Sequence, residues 1–392
     1  MVYRRSRTNI RKPVRRAARR TSVRRATRRP VTRRRSTKTH RCKPCGIREL
    51  TPSARFALAQ LDPFEPRAVG AKIPDSNTMP SLANVDTDIV AFNAPATTGF
   101  LVAAAFAPSY GSAVWTSTDV SASAVAWGSS SNQPRRNRTN VVASLEAIRP
   151  VAHAIRISSG LAPTSATGFV HIGISVESRV NTALVTNYEY PTTVNQMAGL
   201  AFYKRVTLAS LTQSPLTIIN KWIDDTGFRY DDPRTEYTTA NGSTTPAYST
   251  LQMQQSWGVL IVMIDGQSST SISPLSVEHI LHTEALPKKD AFIIGTPAAP
   301  SSPGIMSAVS SMAGDTDFAH TEAQQDTYIN TGLGVLQRGA AAAGERVFEV
   351  LSPIAEHVGA RVGDAAASYA MNAVLGYGGI GGVNNQPMRL AL

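Results

Sequence analysis

The stretch Phe169-Val-His-Ile-Gly-Ile-Ser-Val-Glu-Ser178 decides the fold class. Val170, Ile172, Ile174 and Val176 fall on one side of an extended chain, and His171, Gly173, Ser175 and Glu177 fall on the other. That is a period of two, the signature of a half-buried β-strand. His171 then sits on the polar face as a solvated or hydrogen-bonded histidine.

Further segments of the same type flank it. Residues 85–92 (VDTDIVAF) and 99–107 (GFLVAAAFA) come first, then 140–158, whose alternation is strongest from Val151 to Ile157. Residues 215–223 (PLTIINKWI) and 256–265 (SWGVLIVMID) follow, the latter apolar on both sides and so expected in the middle of a sheet. Residues 276–287 (SVEHILHTEALP) are ambiguous, because Ser273-Pro274 could also open a helix. One helix is expected within 193–211. Two long polar connections, 109–138 and 224–250, are expected to carry function or build a surface feature. Many short strands joined by long turns predict an all-β sandwich or jelly roll over residues 85–298.

Beyond Pro287 the strand pattern fades. Residues 299–304 (APSSPG) read as a linker into a C-terminal region, 299–392, with helices over 333–351 and 352–376. Ser352 can cap the second, Pro353 suits its first position, and Ile354, Val358, Val362, Ala365 and Tyr369 share a face. The Gly-rich end is expected to be flexible.

Charge divides the chain sharply. Of its 392 residues, 40 are Lys or Arg and 27 are Asp or Glu. Residues 1–48 hold 20 of the basic residues and no acid, so 20 basic and 27 acidic residues remain and the body carries −7. Such a density of like charge, with Pro13, Pro30 and Pro44 and little apolar surface, predicts a disordered arm in the free chain. Its natural partner is a polyanion. The guanidinium and ammonium groups of Arg4, Arg5, Arg7, Arg11, Lys12, Arg15, Arg16, Arg19, Arg20, Arg24, Arg25, Arg28, Arg29, Arg33, Arg34, Arg35, Lys38, Arg41 and Lys43 would neutralise phosphates and release counterions. No aromatic residue follows Tyr3 in the arm, so base stacking is not the expected mode. Residues 49–84 read as a linker or inner arm, and 133–138 (QPRRNR) is the body's own basic cluster.

Other chemistry is thin. His40, Cys42 and Cys45 form half a zinc site without a second half. Two cysteines suit a reducing compartment. No run of 18 apolar residues occurs, and no apolar stretch follows the basic start as a secretory signal would require. Phosphate-loop, dinucleotide and nucleophile-elbow motifs are absent. His279, His282 and Glu284 lie close in sequence, but on a strand the last two point away from the first. Asp224, Asp225, Asp231 and Asp232 are the densest acidic cluster, a candidate calcium site or a solvated loop.

The basic arm, the run of short strands with long loops and the helical end resemble the coat proteins of small icosahedral viruses. The order of segments, and 277–287 (VEHILHTEALP) as a last shell strand, resemble the nodavirus-like lineage, which includes the bacilladnaviruses. The resemblance implies an eight-stranded antiparallel jelly-roll shell with the arm inside the particle. It favours a strand at 276–287. It implies virion localisation with assembly in the host nucleus or cytoplasm, partners that are a single-stranded genome, further copies of the chain and a host receptor, and no enzyme activity. It also implies calcium between subunits and C-terminal self-cleavage at an Asn-Ala bond aided by a buried acid. Asn372-Ala373 matches that bond, with Asp75 and Asp86 as candidate acids, although here the amphipathic helix precedes the bond. A T=3 shell of about 180 copies would bring about 3,600 arm charges to a genome of a few kilobases. The alternative is a cellular nucleic-acid-binding protein of chromatin or ribosomal type with a basic tail.

Overall fold

The computed structural model describes residues 50–343 except 94–101, 112, 117–123, 126–130, 176–178, 182–184, 188–189, 224, 233–236, 239–246, 249–256, 267–273, 292 and 316, together with Pro353 and Ile354. The arm, the Cys42/Cys45 pair and Asn372-Ala373 therefore lie outside the described residues.

Eight strands make the body: β1 (Leu82–Asn93), β2 (Val102–Phe106), β5 (Leu145–Ser159), β6 (Phe169–Ser175), β9 (Phe202–Thr207), β10 (Leu216–Ile219), β13 (Val259–Asp265) and β14 (Pro274–Pro287). They pair into two antiparallel sheets. Sheet one runs β1-β14-β5-β10, extended by β15 (Ala319–Thr321); sheet two runs β2-β13-β6-β9, extended beyond β2 by β3 (Val114–Thr116) and β4 (Ser131–Gln133). In chain order the eight strands alternate between the sheets, except that β6 and β9 share sheet two, which is the order of a jelly roll, as expected.

Residues 276–287 lie in β14, which pairs with β1 from Leu82↔Ala285 to Asn93↔Pro274. The last of the eight strands is thus the stretch whose sequence resembled a last shell strand. Its pairing with β5 slips at His282/Thr283, where Pro150 faces Thr283 and Val151 is the extra residue. Proline has no N–H for a sheet ladder, and the bulge removes the need for one.

Between the sheets, Val170, Ile172 and Ile174 meet Leu260, Val262, Ile155, Ile157, Leu275 and Val277. The other side of β6 is buried too, a correction to the half-buried expectation. Outside sheet two, Ala103, Ala105, Val259, Ile261 and Met263 pack with Trp115 and Met197, so a second apolar layer covers that face. His171 is accordingly buried rather than solvated, with Nδ1 2.7 Å from the Tyr203 hydroxyl and Nε2 3.4 Å from Asp265 Oδ2.

The helix expected within 193–211 is a second correction. Three short elements occupy it: α3 (Val194–Ala198), β9 and α4 (Leu208–Gln213). Thr193 and Thr207 each cap a helix start by accepting from the backbone three residues on, and Gly199 ends α3. Between them Phe202 and Val206 reach the core, and β9 completes the ladder along the edge of β6. Pairing with an open strand edge outweighs local helix propensity here.

The long connections are built, not loose throughout. Residues 109–138 contain β3 and β4 and lead into α2 (Arg138–Ser144), so the segment read as β from residue 140 begins as a helix. The connection from β6 to β9 supplies β7 (Arg179–Asn181) and β8 (Val185–Asn187), and 224–250 supplies β11 (Tyr237–Thr238) and β12 (Ala247–Tyr248). These four form a separate sheet ordered β11-β12-β8-β7.

A helical layer covers the outer face of sheet one. It consists of α1 (Pro52–Leu61), α5 (Pro303–Asp315) and α6 (Gln325–Ala343). The stretch expected to link arm and body therefore holds a helix. The expected 299–304 linker already contains the first residues of α5, and the expected helix 333–351 begins earlier, at Gln325. Ile305, Ala308, Val309 and Met312 of α5 and Ile329, Leu333 and Leu336 of α6 repeat at helical spacing and bury together. A β-carbon at Gly339 would lie 2.8 Å from Ala308 Cα, so the absence of a side chain there allows the two helices to approach.

Candidate functional site: the root of the arm and the face it leaves from

The arm joins the body at Leu50, which is buried in the core beneath the helical layer. Thr51 caps α1 by accepting from Ala54 N at 3.2 Å, and Pro52 takes the first helical position. Phe56, Ala57, Leu58, Ala59 and Leu61 are all buried. The Gln60 side-chain amide donates to Val151 O where the β5 bulge exposes it. Ile354, where the C-terminal segment is described again, is fully buried in the same core. Leu50 and Ile354 thus belong to one cluster, on the helical side of sheet one.

The chain after α1 is pinned by buried charges. Arg149 donates to Glu284 Oε2 from Nε at 3.1 Å and Nη2 at 2.7 Å, and pairs with Asp75 through Nη1 and, at 3.4 Å, Nη2. Glu284 also accepts from Ile73 N at 3.1 Å and from the Ser81 hydroxyl. Lys72 Nζ donates to Ser81 O at 2.7 Å, Thr296 O at 2.9 Å and Pro297 O at 3.0 Å. Burial lowers the Lys72 pKa and raises that of Tyr230, whose ring lies 4.4 Å from the Arg149 guanidinium carbon. Residues 72–81, strands β5 and β14 and the 296–297 segment are tied at one point.

This network absorbs several sequence candidates. Asp75 is an ion-pair partner of Arg149. Asp86 lies by Arg135, its pKa raised by burial. Glu284 belongs to Arg149, His282 donates from Nε2 to Pro63 O at 2.7 Å beneath α1, and His279 turns between the sheets. The three do not converge, as their spacing foretold. Asp231 pairs by backbone with Ile148, and its carboxyl is pushed up by burial; Asp224 lies outside the described residues. Among the described residues, no group of three or more His, Cys, Asp or Glu is placed to hold a metal. Of the basic cluster 133–138, Arg135 is drawn fully into the core.

A cleft of 290 Å³ lies between α1, sheet one and α6, lined by Asp62, Glu65, Arg156, Glu322 and others. Its groups serve the fold: Asp62 accepts from Phe64 N and from the Gln325 amide, and Arg156 lies over the Phe64 ring and 3.6 Å from Glu278. No helix among the described residues is long and apolar enough to cross a membrane.

Sequence reasoning missed Arg135, Arg149 and the contact between His153 and His279. For Arg149 and His153 the one signal was a polar residue at a buried position of the largely apolar strand β5.

No family model matches the chain, and no curated protein matches it in sequence. Solved structures do. The chain is similar to a structure of infectious bursal disease virus, Gt strain, at 9% identity and a TM-score of 0.50, covering 70% of this chain and 99% of that one. A T13 IBDV viral particle aligns at 8% identity and 0.46, covering 73% and 98%. A semi-empty VLP of giant freshwater prawn Macrobrachium rosenbergii nodavirus aligns at 9% and 0.32, covering 55% and 98%. The likeness carried by the first of these is one of fold: a jelly-roll sandwich.

Proposed function

We propose that the chain is the shell subunit of a small icosahedral virus, self-assembling around a single-stranded genome that its arm, residues 1–48, holds by phosphate neutralisation. The virion is its location, and other copies of the chain, with the genome, are its partners. The nodavirus-like lineage, with the bacilladnaviruses inside it, is the affinity that the segment order supports.

One observation carries this reading. The root of the arm at Leu50 and the start of the C-terminal segment at Ile354 sit in one core on the helical side of sheet one. A container needs its cationic arm on the face that turns inward, and Leu50, the first described residue after the arm, lies in that core on the helical side. The charge division supports it: a body at −7 does not itself adhere to nucleic acid, so binding is left to the arm. The arm residues from Arg4 to Lys43 are the proposed phosphate contacts.

Negative-stain microscopy of the purified full-length chain tests the reading. Closed shells of uniform diameter are expected. Monomers or small oligomers across protein concentration and salt would overturn it.

A further inference from the structure

A row of polar side chains crosses the inner face of sheet one, where apolar contacts are the rule. Asn220 follows β10, His153 lies on β5 and His279 on β14, and Arg135 reaches in from the chain before α2. Asn220 Nδ2 is 2.8 Å from His153 Nδ1, His153 Nε2 is 2.6 Å from His279 Nε2, and Arg135 Nη2 is 2.8 Å from the same His279 nitrogen. His153 and His279 are completely buried.

The network fixes every proton in the row. Asn220 Oδ1 accepts from Lys221 N at 3.0 Å, so its amide nitrogen is the group facing His153. His153 Nδ1 must therefore accept, and its proton sits on Nε2. Arginine cannot accept, so His279 Nε2 is bare and receives both Arg135 and His153, and the His279 proton sits on Nδ1. All the lone pairs of the two rings are used. A further proton on either ring would place N–H against N–H.

Among the described residues, no carboxylate bonds either ring. The charged and titratable groups facing the row are Arg135, Asp86, Asp88 and Tyr110. Asp88 is 3.8 Å from Arg135 Nη1, Asp86 gives that nitrogen its carbonyl at 3.1 Å, and the Tyr110 hydroxyl is bonded to Asn84 and lies 3.3 Å from Thr283. From β2 the row meets only the edge of the Phe106 ring. Burial and the Arg135 charge push both imidazoles well below their ordinary range.

We propose that the row Arg135–His279–His153–Asn220 is an acid-operated latch: a proton taken by either imidazole breaks the row and loosens strands β5 and β14 from one another while sheet two stays closed. Two other buried histidines differ. His282 can take a proton on Nδ1 without losing its bond to Pro63 O, and His171 has Asp265 beside it.

Amide exchange of the full-length protein tests this, corrected for the intrinsic effect of pH. Between pH 7.5 and pH 5.5, peptides covering 145–159 and 274–287 should speed up at least tenfold more than the peptide covering 259–265. His279→Gln keeps an acceptor for Arg135 and His153 but leaves His153 to titrate, so it should reduce that excess; combined with His153→Gln it should abolish it, and His282→Gln should retain it. Equal acceleration of all three wild-type peptides would overturn the proposal, whether or not the variants fold. So would an excess that survives undiminished when His153→Gln and His279→Gln are combined, or one that disappears in His282→Gln.

Discussion

Arg149 and Glu284 face each other across β5 and β14, Nη2 to Oε2 at 2.7 Å, with side chains 2% and 1% exposed. An ion pair so deep costs desolvation, and it is retained because Glu284 also collects Ile73 N and Ser81 from the segment that follows α1. Removing one partner strands the other. Arg149→Met is expected to cost about 3–5 kcal/mol, whereas Arg149→Met combined with Glu284→Leu should recover a large part of it. Urea unfolding of the three proteins gives the numbers.

Phe56 fastens α1 to the body by setting its ring edge against Phe228, centroids 6.0 Å apart, at zero exposure. Phe56→Ala is expected to cost about 3–5 kcal/mol. Limited proteolysis of that variant should cut between α1 and β1 faster than in the wild type.

Helices α5 and α6 meet at Gly339, with Ala308 Cα 2.8 Å from where a β-carbon would sit. Gly339→Leu is expected to lower the thermal midpoint, at an overpacking cost of about 1–3 kcal/mol. Gly314, with open space around it, should accept alanine without such loss.

Acid should weaken the fold at His320, stacked on Tyr328 and lowered to about 4 by burial with Lys204 and Arg156 nearby. The unfolded chain takes up a proton below about pH 6.5 that the folded chain refuses until about pH 4. Stability from this site is whole above 6.5 and falls as pH drops through that window. His320→Phe keeps a ring on Tyr328 and removes the titration. Between pH 7.5 and 5 it should lose about 2 kcal/mol less stability than the wild type, measured by urea unfolding at both values.

The sandwich was legible because Val170, Ile172 and Ile174 alternate toward the core, and because 256–265 is apolar on both sides, as a central strand must be. Strand β9 was not legible. Phe202, Lys204 and Val206 alternate, but Thr193, Thr207 and two short helical turns surround them, and only the open edge of β6 selects the strand. Nor could the sequence show that 52–61 is a buried helix: its small apolar residues fit a linker or a helix until sheet one provides a surface. The site was legible in its charge and hidden in its anchoring. The arm announces itself by composition, whereas Arg149 and Glu284 stand 135 positions apart and are joined only by the bulged pairing of β5 and β14. The buried imidazoles were hidden likewise, since His153 and His279 meet diagonally across that same pairing.

The central claim is that the arm holds the genome while the sandwich alone builds the wall. Shells assembled from the complete chain and from a chain lacking residues 1–48 should be purified side by side and their nucleic acid measured per subunit by ultraviolet absorbance and phosphate assay. The account predicts intact sandwiches in both and less than about a tenth of the nucleic acid in the truncated form, since 20 of the chain's 40 basic residues and all of its unbalanced positive charge are gone. Equal nucleic acid in the two would contradict it.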